Sequence, residues 1–482
     1  MKKYLQLSLF LLLIFISSQV IFSQEINRKG VHQLQKEEFG NIEKVESKFD
    51  IHGKGIQSLQ ERESSNLSNI VFGFLPYWEY SAGAHNNMHY DLLTHLVAFD
   101  FTASSSGAIT NPSNWPWTDV INAAHSNNVK VIMAVTNFNG TDIHTILTNT
   151  TSKNNLFSNI ENTITTYNLD GVNIDFESLN NADEGSAINT FMSDLTTFIH
   201  NQLPGKEVSF DGPAVNWGND WDLNGLAQSV DYLFIMAYDY NGSWSTNTGA
   251  VAPLTHPSGG ISVTKSLTND YSVAKSNYPE KLILGVPYYG KHWKTTTNLA
   301  GSSITSYISS TFYRDDVLNA VSYGGYIWDN NSQTSWYRWF DTIDWNQVWS
   351  DNEQSIEKKY DLALAESIGG VGIWALNYDG TRPELWDLIN TKFGVTASVE
   401  DSFFKDNIRL YPNPTSGIIN ISNSKKLKLN KINILNVLGQ IVLKVQPENK
   451  SIDISKLTNG LYFLIIEDKI GNIATFKVLK SD

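Results

Sequence analysis

An α/β chain is predicted: a (β/α)₈ TIM barrel that carries a small inserted α+β subdomain and is followed by a small C-terminal β-sandwich. Three observations predict it. Between Asn69 and about Phe393, eight apolar runs rich in Val and Ile alternate with helix-like stretches and mostly lack hairpin turns between them. That is the pattern of a parallel sheet with helical crossovers. About 65 residues separate Trp293 from Lys358, too many for a plain connection. After Phe393 the composition changes to short alternating strands punctuated by Asn, Gly and Pro.

The elements follow in chain order. Met1-Lys2-Lys3, the apolar residues 5–22 and the small Ser23 read as a signal peptide over 1–23. The apolar run is nearly long enough to span a bilayer, so an uncleaved anchor is the competing reading. Residues 24–68 are polar with mixed charge, a pro-segment or linker without a readable function. The barrel is placed at 69–394, with strands at 70–75, 95–101, 129–135, 171–176, 207–210, 232–237, 282–286 and 370–376. Eight units fit a closed barrel enlarged by insertions. The insertion, about 293–358, carries Tyr307, Phe312, Tyr326, Trp328, Trp336, Tyr337, Trp339 and Phe340 and is expected to wall one side of a cleft. A polar linker at 395–407 leads to the sandwich at 408–482, with strands at 417–421, 431–436, 440–445, 451–454, 460–467 and 473–479.

Composition removes several functions. The net charge of −14 argues against a nucleic-acid or anionic-membrane partner. With no cysteine, disulfides, thiol catalysis and thiolate metal sites are ruled out. Ten scattered His without a His-Glu-x-x-His spacing disfavour a metalloenzyme, and no cofactor is expected. The 14 Trp and 21 Tyr are either core packing or platforms for sugar rings, whose apolar faces match an aromatic surface.

The richest chemistry lies in Asp170-Gly171-Val172-Asn173-Ile174-Asp175-Phe176-Glu177. On a strand, residues two apart share a face. One face then carries Asn173, Asp175 and Glu177, the other Val172, Ile174 and Phe176. A solvated antiparallel strand alternates in the same way. A face of acids and an amide alone also fits a catalytic cluster, in which neighbouring carboxyls push their pKa values apart. Glu177 stands where the strand hands over to its loop, the end that bears chemistry in such barrels. Asp170 lies off the parity of the other acids and is assigned a structural, strand-bracing role.

This stretch resembles the signature of glycoside hydrolase family 18, the chitinase-like hydrolases, Asp-Gly-x-Asp-x-Asp-x-Glu. Further segments resemble other strands of that family in order: Phe72-Gly73-Phe74-Leu75-Pro76-Tyr77-Trp78, Thr94-His95-Leu96-Val97-Ala98-Phe99, Met236-Ala237-Tyr238-Asp239, Gly285-Val286-Pro287-Tyr288-Tyr289-Gly290 and Gly369-Gly370-Val371-Gly372-Ile373-Trp374. The resemblance implies a glycosidase acting on β-1,4-linked N-acetylglucosamine polymers, chitin or chitooligosaccharides first. Glu177 would protonate the leaving oxygen. Asp175 would orient the N-acetyl group, whose own oxygen attacks the sugar carbon with retention of configuration. Tyr238 would hydrogen-bond the same acetamido group, Asp239 would contact hydroxyls and Trp374 would floor the subsite. Met236, Tyr77, Tyr288 and Asn137 complete the expected substrate contacts. Two departures point toward relatives acting on peptidoglycan or on N-glycan cores. Asn173 replaces the family's second acid, leaving Asp175 with one fewer like charge beside it. Val131 to Phe138 replaces the Ser-x-Gly-Gly of typical chitinases. A non-catalytic lectin on the same barrel is the rival from another class.

Asn407-Ile408-Arg409-Leu410-Tyr411-Pro412-Asn413-Pro414-Thr415-Ser416-Gly417, Asn436-Val437-Leu438-Gly439-Gln440 and Leu457-Thr458-Asn459-Gly460-Leu461-Tyr462 resemble the C-terminal sorting domain of type IX secretion. That resemblance implies the secretion machinery as a partner, a secreted or cell-surface destination and no stable membrane span in the mature form. A carbohydrate-binding sandwich would need an exposed row of aromatics.

Overall fold

The computed structural model describes residues 29–43, 45–60, 66–395, 407–423, 425–437, 439–446, 450–469 and 473–481. The signal segment and most of the expected linker lie outside these residues. The chain divides into a unit ending at Gly394 and a second beginning at Val395.

In the first unit, helix α1 (Val31–Phe39) precedes the barrel strands β1 (Ile70–Pro76), β2 (His95–Ala103), β3 (Lys130–Asn137), β4 (Gly171–Phe176), β5 (Glu207–Gly212), β6 (Tyr232–Ile235) and β7 (Leu282–Pro287). An inserted sheet follows: β8 (Tyr289–Thr295), β9 (Ile304–Phe312), β10 (Ile327–Asp329), β11 (Thr334–Phe340) and β12 (Trp345–Ser350). The eighth barrel strand is β13 (Gly370–Trp374). The eight barrel strands are parallel and closed, because β1 pairs with both β13 and β2.

Alternation along each strand builds two layers. Phe72, Phe74 and Phe234 fill the barrel interior, with Phe74 and Phe234 4.9 Å apart edge to face. Outward residues meet amphipathic helices such as α2 (Ser186–Gln202), which buries Ile188, Phe191, Met192, Leu195 and Ile199 at helical spacing. Gly171 permits the close approach of β4 to β5, since a Cβ there would lie 2.2 Å from the Glu207 carbonyl oxygen.

The insertion is a five-stranded antiparallel sheet in the order β9-β8-β12-β11-β10, joined by helix α3 (Tyr313–Ser322) and centred on Trp293, Trp336 and Trp349. It begins at Tyr289, four residues earlier than the composition suggested, because β8 runs on from β7 with only Tyr288 between them. Residues 353–358, expected in the insertion, open helix α4 (Glu353–Ala365), which leads to β13.

The second unit contains β14 (Ile408–Tyr411), β15 (Ile418–Asn423), β16 (Leu429–Leu435), β17 (Ile441–Val445), β18 (Ser451–Asp453), β19 (Gly460–Asp468) and β20 (Ile473–Lys480). They form a three-stranded and a four-stranded sheet that share one core of Ile419, Ile432, Ile434, Ile452, Leu464 and Ile466. Strand β14 was not anticipated, since it runs into the turn-forming Pro412-Asn413-Pro414. Among the described residues no helix is long and apolar enough to cross a membrane.

Candidate active site

The direction of the alternation on β4 decides between its two readings. Phe176 points outward and lies 5.8 Å from Phe191 of α2, whereas Asn173 and Asp175 point inward and are wholly buried. The polar face is barrel interior, not a solvated surface. Just beyond the strand, the Glu177 N–H donates to the Asn137 carbonyl at 3.1 Å. Ser178 then takes a left-handed conformation (φ 61°) that turns the chain out of the barrel.

The Glu177 carboxyl is buried, and neither oxygen has a hydrogen-bond partner among the described residues. Burial, and after it the Asp175 charge, push its pKa up to about 8. A carboxyl so placed keeps its proton at neutral pH, as a general acid requires.

Asp211 at the end of β5 was not anticipated. Asn173 Nδ2 donates to Asp211 Oδ1 at 2.9 Å and to Ser209 Oγ at 3.0 Å. Burial first, then the Asp175 charge, hold the Asp211 carboxyl well above its ordinary range. Asn173 therefore does not leave Asp175 short of an acidic neighbour; the neighbouring strand supplies the second carboxyl. A signal for this was present, because Ser209 and Asp211 share the parity that β4 shows, and Asn173 is in register with Ser209.

Tyr238 is buried beside this group, its hydroxyl pushed well above the usual range by burial and then by Asp211 and Asp175. Asp239 follows in a left-handed conformation (φ 55°), accepts the Tyr289 hydroxyl at 2.6 Å and lies 3.5 Å from Lys291 Nζ. Trp374 is buried at the end of β13, and Met236 packs partly buried against the barrel core.

Two expected contacts fall elsewhere, and a third, Tyr77, meets the C-terminal end of α1. Tyr288 is turned away from the cleft: its hydroxyl pairs with that of Tyr360 on α4 at 3.1 Å, and its neighbour Tyr289 faces Tyr238 instead. Asn137 is a brace. Its amide donates to the Ala103 carbonyl at 2.9 Å and its oxygen accepts the Asn139 N–H at 2.8 Å. Tyr77 directs its hydroxyl to the Gly40 carbonyl at 2.7 Å. Asp170 sits at the opposite end of β4, where it accepts from His125 Nε2 at 2.8 Å, Lys206 Nζ at 3.0 Å and the Val131 N–H at 2.9 Å.

The segment before the barrel enters the site. His32 on α1 is wholly buried, its Nδ1 2.8 Å from Asp175 Oδ2 and 3.3 Å from Glu177 Oε1, its Nε2 3.0 Å from the Tyr238 hydroxyl. Its ring lies on Trp374 with centroids 3.7 Å apart. One polar atom each from His32, Asp175 and Asp211 lie within 4.8 Å of one another, close enough to hold a cation. Burial would lower the His32 pKa, but the Asp175 carboxylate, assisted by Glu177 and Asp239, outweighs it and holds the ring above its ordinary value.

A buried carboxyl at a barrel strand end, flanked by a second acid, a tyrosine and a buried tryptophan, is an arrangement suited to glycoside hydrolysis. Residues 54–379 match Glycosyl hydrolases family 18, and the chain belongs to that family. Residues 409–480 match the secretion system C-terminal sorting domain. The chain is 28% identical to human di-N-acetylchitobiase over 259 residues, which span 46% of this chain and 64% of the human protein. It is 26% identical to probable chitinase 2 of Drosophila melanogaster over 343 residues, 62% of this chain and 69% of the fly protein. The barrel also resembles the crystal structure of the spore cortex-lytic enzyme SleL of Bacillus cereus, with a TM-score of 0.57 at 22% identity, covering 70% of this chain and 77% of that one. The sorting domain marks the protein for export by type IX secretion, to the medium or the cell surface.

Proposed function

We propose that the protein hydrolyses β-1,4-linked N-acetylglucosamine polymers, chitin or chitooligosaccharides, with retention of configuration. The carrying observation is the buried, proton-holding Glu177 beside Asp175, Asp211 and Tyr238. In the first step the Glu177 carboxyl gives its proton to the glycosidic oxygen. The acetamido oxygen of the substrate attacks the anomeric carbon as the leaving sugar departs, forming a cyclic oxazolinium ion. Asp175 balances the charge of that ion, and Tyr238 donates to the acetamido group. Glu177, now a carboxylate, takes a proton from the water that opens the ring and is restored. Trp374 supports the sugar, and Asp239, held by Tyr289 and Lys291, faces hydroxyls.

A second reading, cleavage of peptidoglycan or of N-glycan cores, is favoured by Asn173 in place of the family's second acid. Likeness to a cortex-lytic enzyme fits it, as likeness to a chitobiase and a chitinase fits the first. Comparison of the parent with Glu177→Gln on chitin oligomers, peptidoglycan and glycoprotein tests both. The substitution is expected to lower kcat by about 10²- to 10⁴-fold on whichever substrate is cleaved. Turnover that survives Glu177→Gln overturns the assignment.

A further inference from the structure

The geometry points to a built-in inhibitor: we infer that α1, with Lys29 and Gly30 before it, is a plug that occupies the sugar-binding cleft and must be displaced before substrate can enter. The inference rests on the hydrolase reading, because it assigns the contacts of α1 to the subsite where the N-acetyl sugar would react.

The plug meets the site residue by residue. His32 sets Nδ1 against Asp175 and Nε2 against the Tyr238 hydroxyl, with its flat ring on Trp374. A five-membered ring between these three groups has the shape of the oxazolinium ion and, when protonated, its charge. Gln35 is wholly buried, and its Oε1 accepts from Trp374 Nε1 at 2.8 Å and from the Tyr378 hydroxyl at 3.0 Å. Such an amide oxygen stands where a sugar hydroxyl or acetamide would bond.

Flanking contacts anchor the helix to both walls of the cleft. Lys36 bonds Asp100 and Thr102 at the end of β2. Glu38 accepts the Tyr307 hydroxyl at 2.6 Å and the Ser310 N–H at 3.1 Å, both from β9 of the insertion. Phe39 packs on Phe312 with centroids 4.6 Å apart. Past Gly40 the chain runs back along the barrel: Gln57 caps Asn122 and His125, and the Ile51 carbonyl accepts from Tyr167. A groove of about 1020 Å³ lies at the opposite end of the barrel, around Glu207, Lys206 and Asp231. The catalytic end is filled by α1.

Gly30 gives the plug a steric trigger. A Cβ built there would lie 1.5 Å from Glu177 Oε2, so a larger residue forces either the docked helix or that carboxyl to move, and Leu is chosen because its bulk exceeds what a turn of the carboxyl can clear. The test compares the full chain with Gly30→Leu, which expels α1 by contact, and His32→Ala, which removes the imidazole. In both, kcat/KM on a soluble N-acetylglucosamine tetramer is expected to rise at least about tenfold, since an occluded site binds only in proportion to its open fraction. In a Glu177→Gln background, calorimetry is expected to show the tetramer binding more tightly by a similar factor. A synthetic peptide of residues 29–41 is expected to inhibit the Gly30→Leu chain competitively, and the same peptide with His32→Ala to fail. Thermal melting identifies a variant that has not folded, and the other variant with the peptide then decides. Unchanged binding and turnover in folded variants overturn the plug. Tighter tetramer binding without hydrolysis by any chain upholds the plug and overturns the hydrolase reading instead.

Discussion

Asn173 and Asp211 show how one amide changes the chemistry of an acidic cluster. Burial first, and then the Asp175 charge, push the Asp211 carboxyl well above its ordinary range, against the Asn173 donor at 2.9 Å, which favours the charged form. Asn173→Asp would set two carboxyls at that separation, with one proton held between them. Its pH–rate profile is expected to shift along the acidic limb, while Asp211→Asn, which keeps the side chain's size where burial already disfavours the charged carboxyl, stays within about twofold of the parent near neutrality. Profiles of both variants in the Gly30→Leu background check this, and a superimposable Asn173→Asp profile refutes it. Glu177, Asp175, Tyr238 and Trp374 could be singled out because the motifs set each at or just beyond a strand end, and the structure gathers all four around His32. Tyr288 was misread for its neighbour because two adjacent tyrosines straddle the junction of β7 and β8, and parity cannot be counted across an unseen break. Asp211 carried the right parity on β5 but stood in Ser209-Phe210-Asp211-Gly212, a stretch with no second acid to mark it.

Along β4 the two ends do different work. The far end carries Glu177, the proposed proton donor, and the near end is clamped by Asp170 between His125, Lys206 and the Val131 N–H. Asp170→Ala leaves a buried imidazole and a half-buried ammonium without their acid, a loss of about 3 kcal/mol. Denaturant unfolding is expected to show that loss with kcat unchanged, since Asp170 touches nothing at the catalytic end. A fall in kcat without a loss of stability would place Asp170 in the reaction. The barrel strands could be read from their apolar runs because each is buried on both faces. α1 could not be read that way. Its His32 and Gln35 look like surface residues on a short polar helix, and their partners are 143 and 339 residues away in sequence, Asp175 and Trp374. The insertion boundary slipped for a related reason: β8 continues β7 without the polar break that usually separates elements.

For the molecule as a whole, a two-unit organisation followed from the change of composition after Phe393, and each unit has its own core. The pH dependence of stability belongs to the barrel unit, where shifted groups of opposite sign are buried. Asp170 and Glu207 are held low despite burial, by His125 and His95 respectively. A lowered folded pKa contributes stability above the unfolded value and loses it as pH falls through the folded one, so both act on the acid side, below about 4 to 4.5. His32 has the opposite sign. Its folded pKa is raised from 6.5, so its contribution is complete below pH 6.5 and disappears as pH rises through the raised value. The groups facing it are Asp175 and Glu177 from β4 and its loop, Asp211 from β5, Tyr238 and Asp239 after β6, and the uncharged Trp374. Glu177 acts in the same direction over a wider span: a carboxyl raised from 4.5 to about 8 costs the closed state stability progressively as pH rises between those two values, and the loss is complete above about 8. The stability difference between the parent and His32→Ala is therefore expected to be largest below pH 6.5 and to shrink as pH rises toward 8 and beyond, measured by thermal unfolding of both chains across that range. The activity ratio of His32→Ala to parent should shrink over the same interval, because the parent releases α1 as its imidazolium is lost. A difference that grows with pH would mean that His32 docks as the neutral ring.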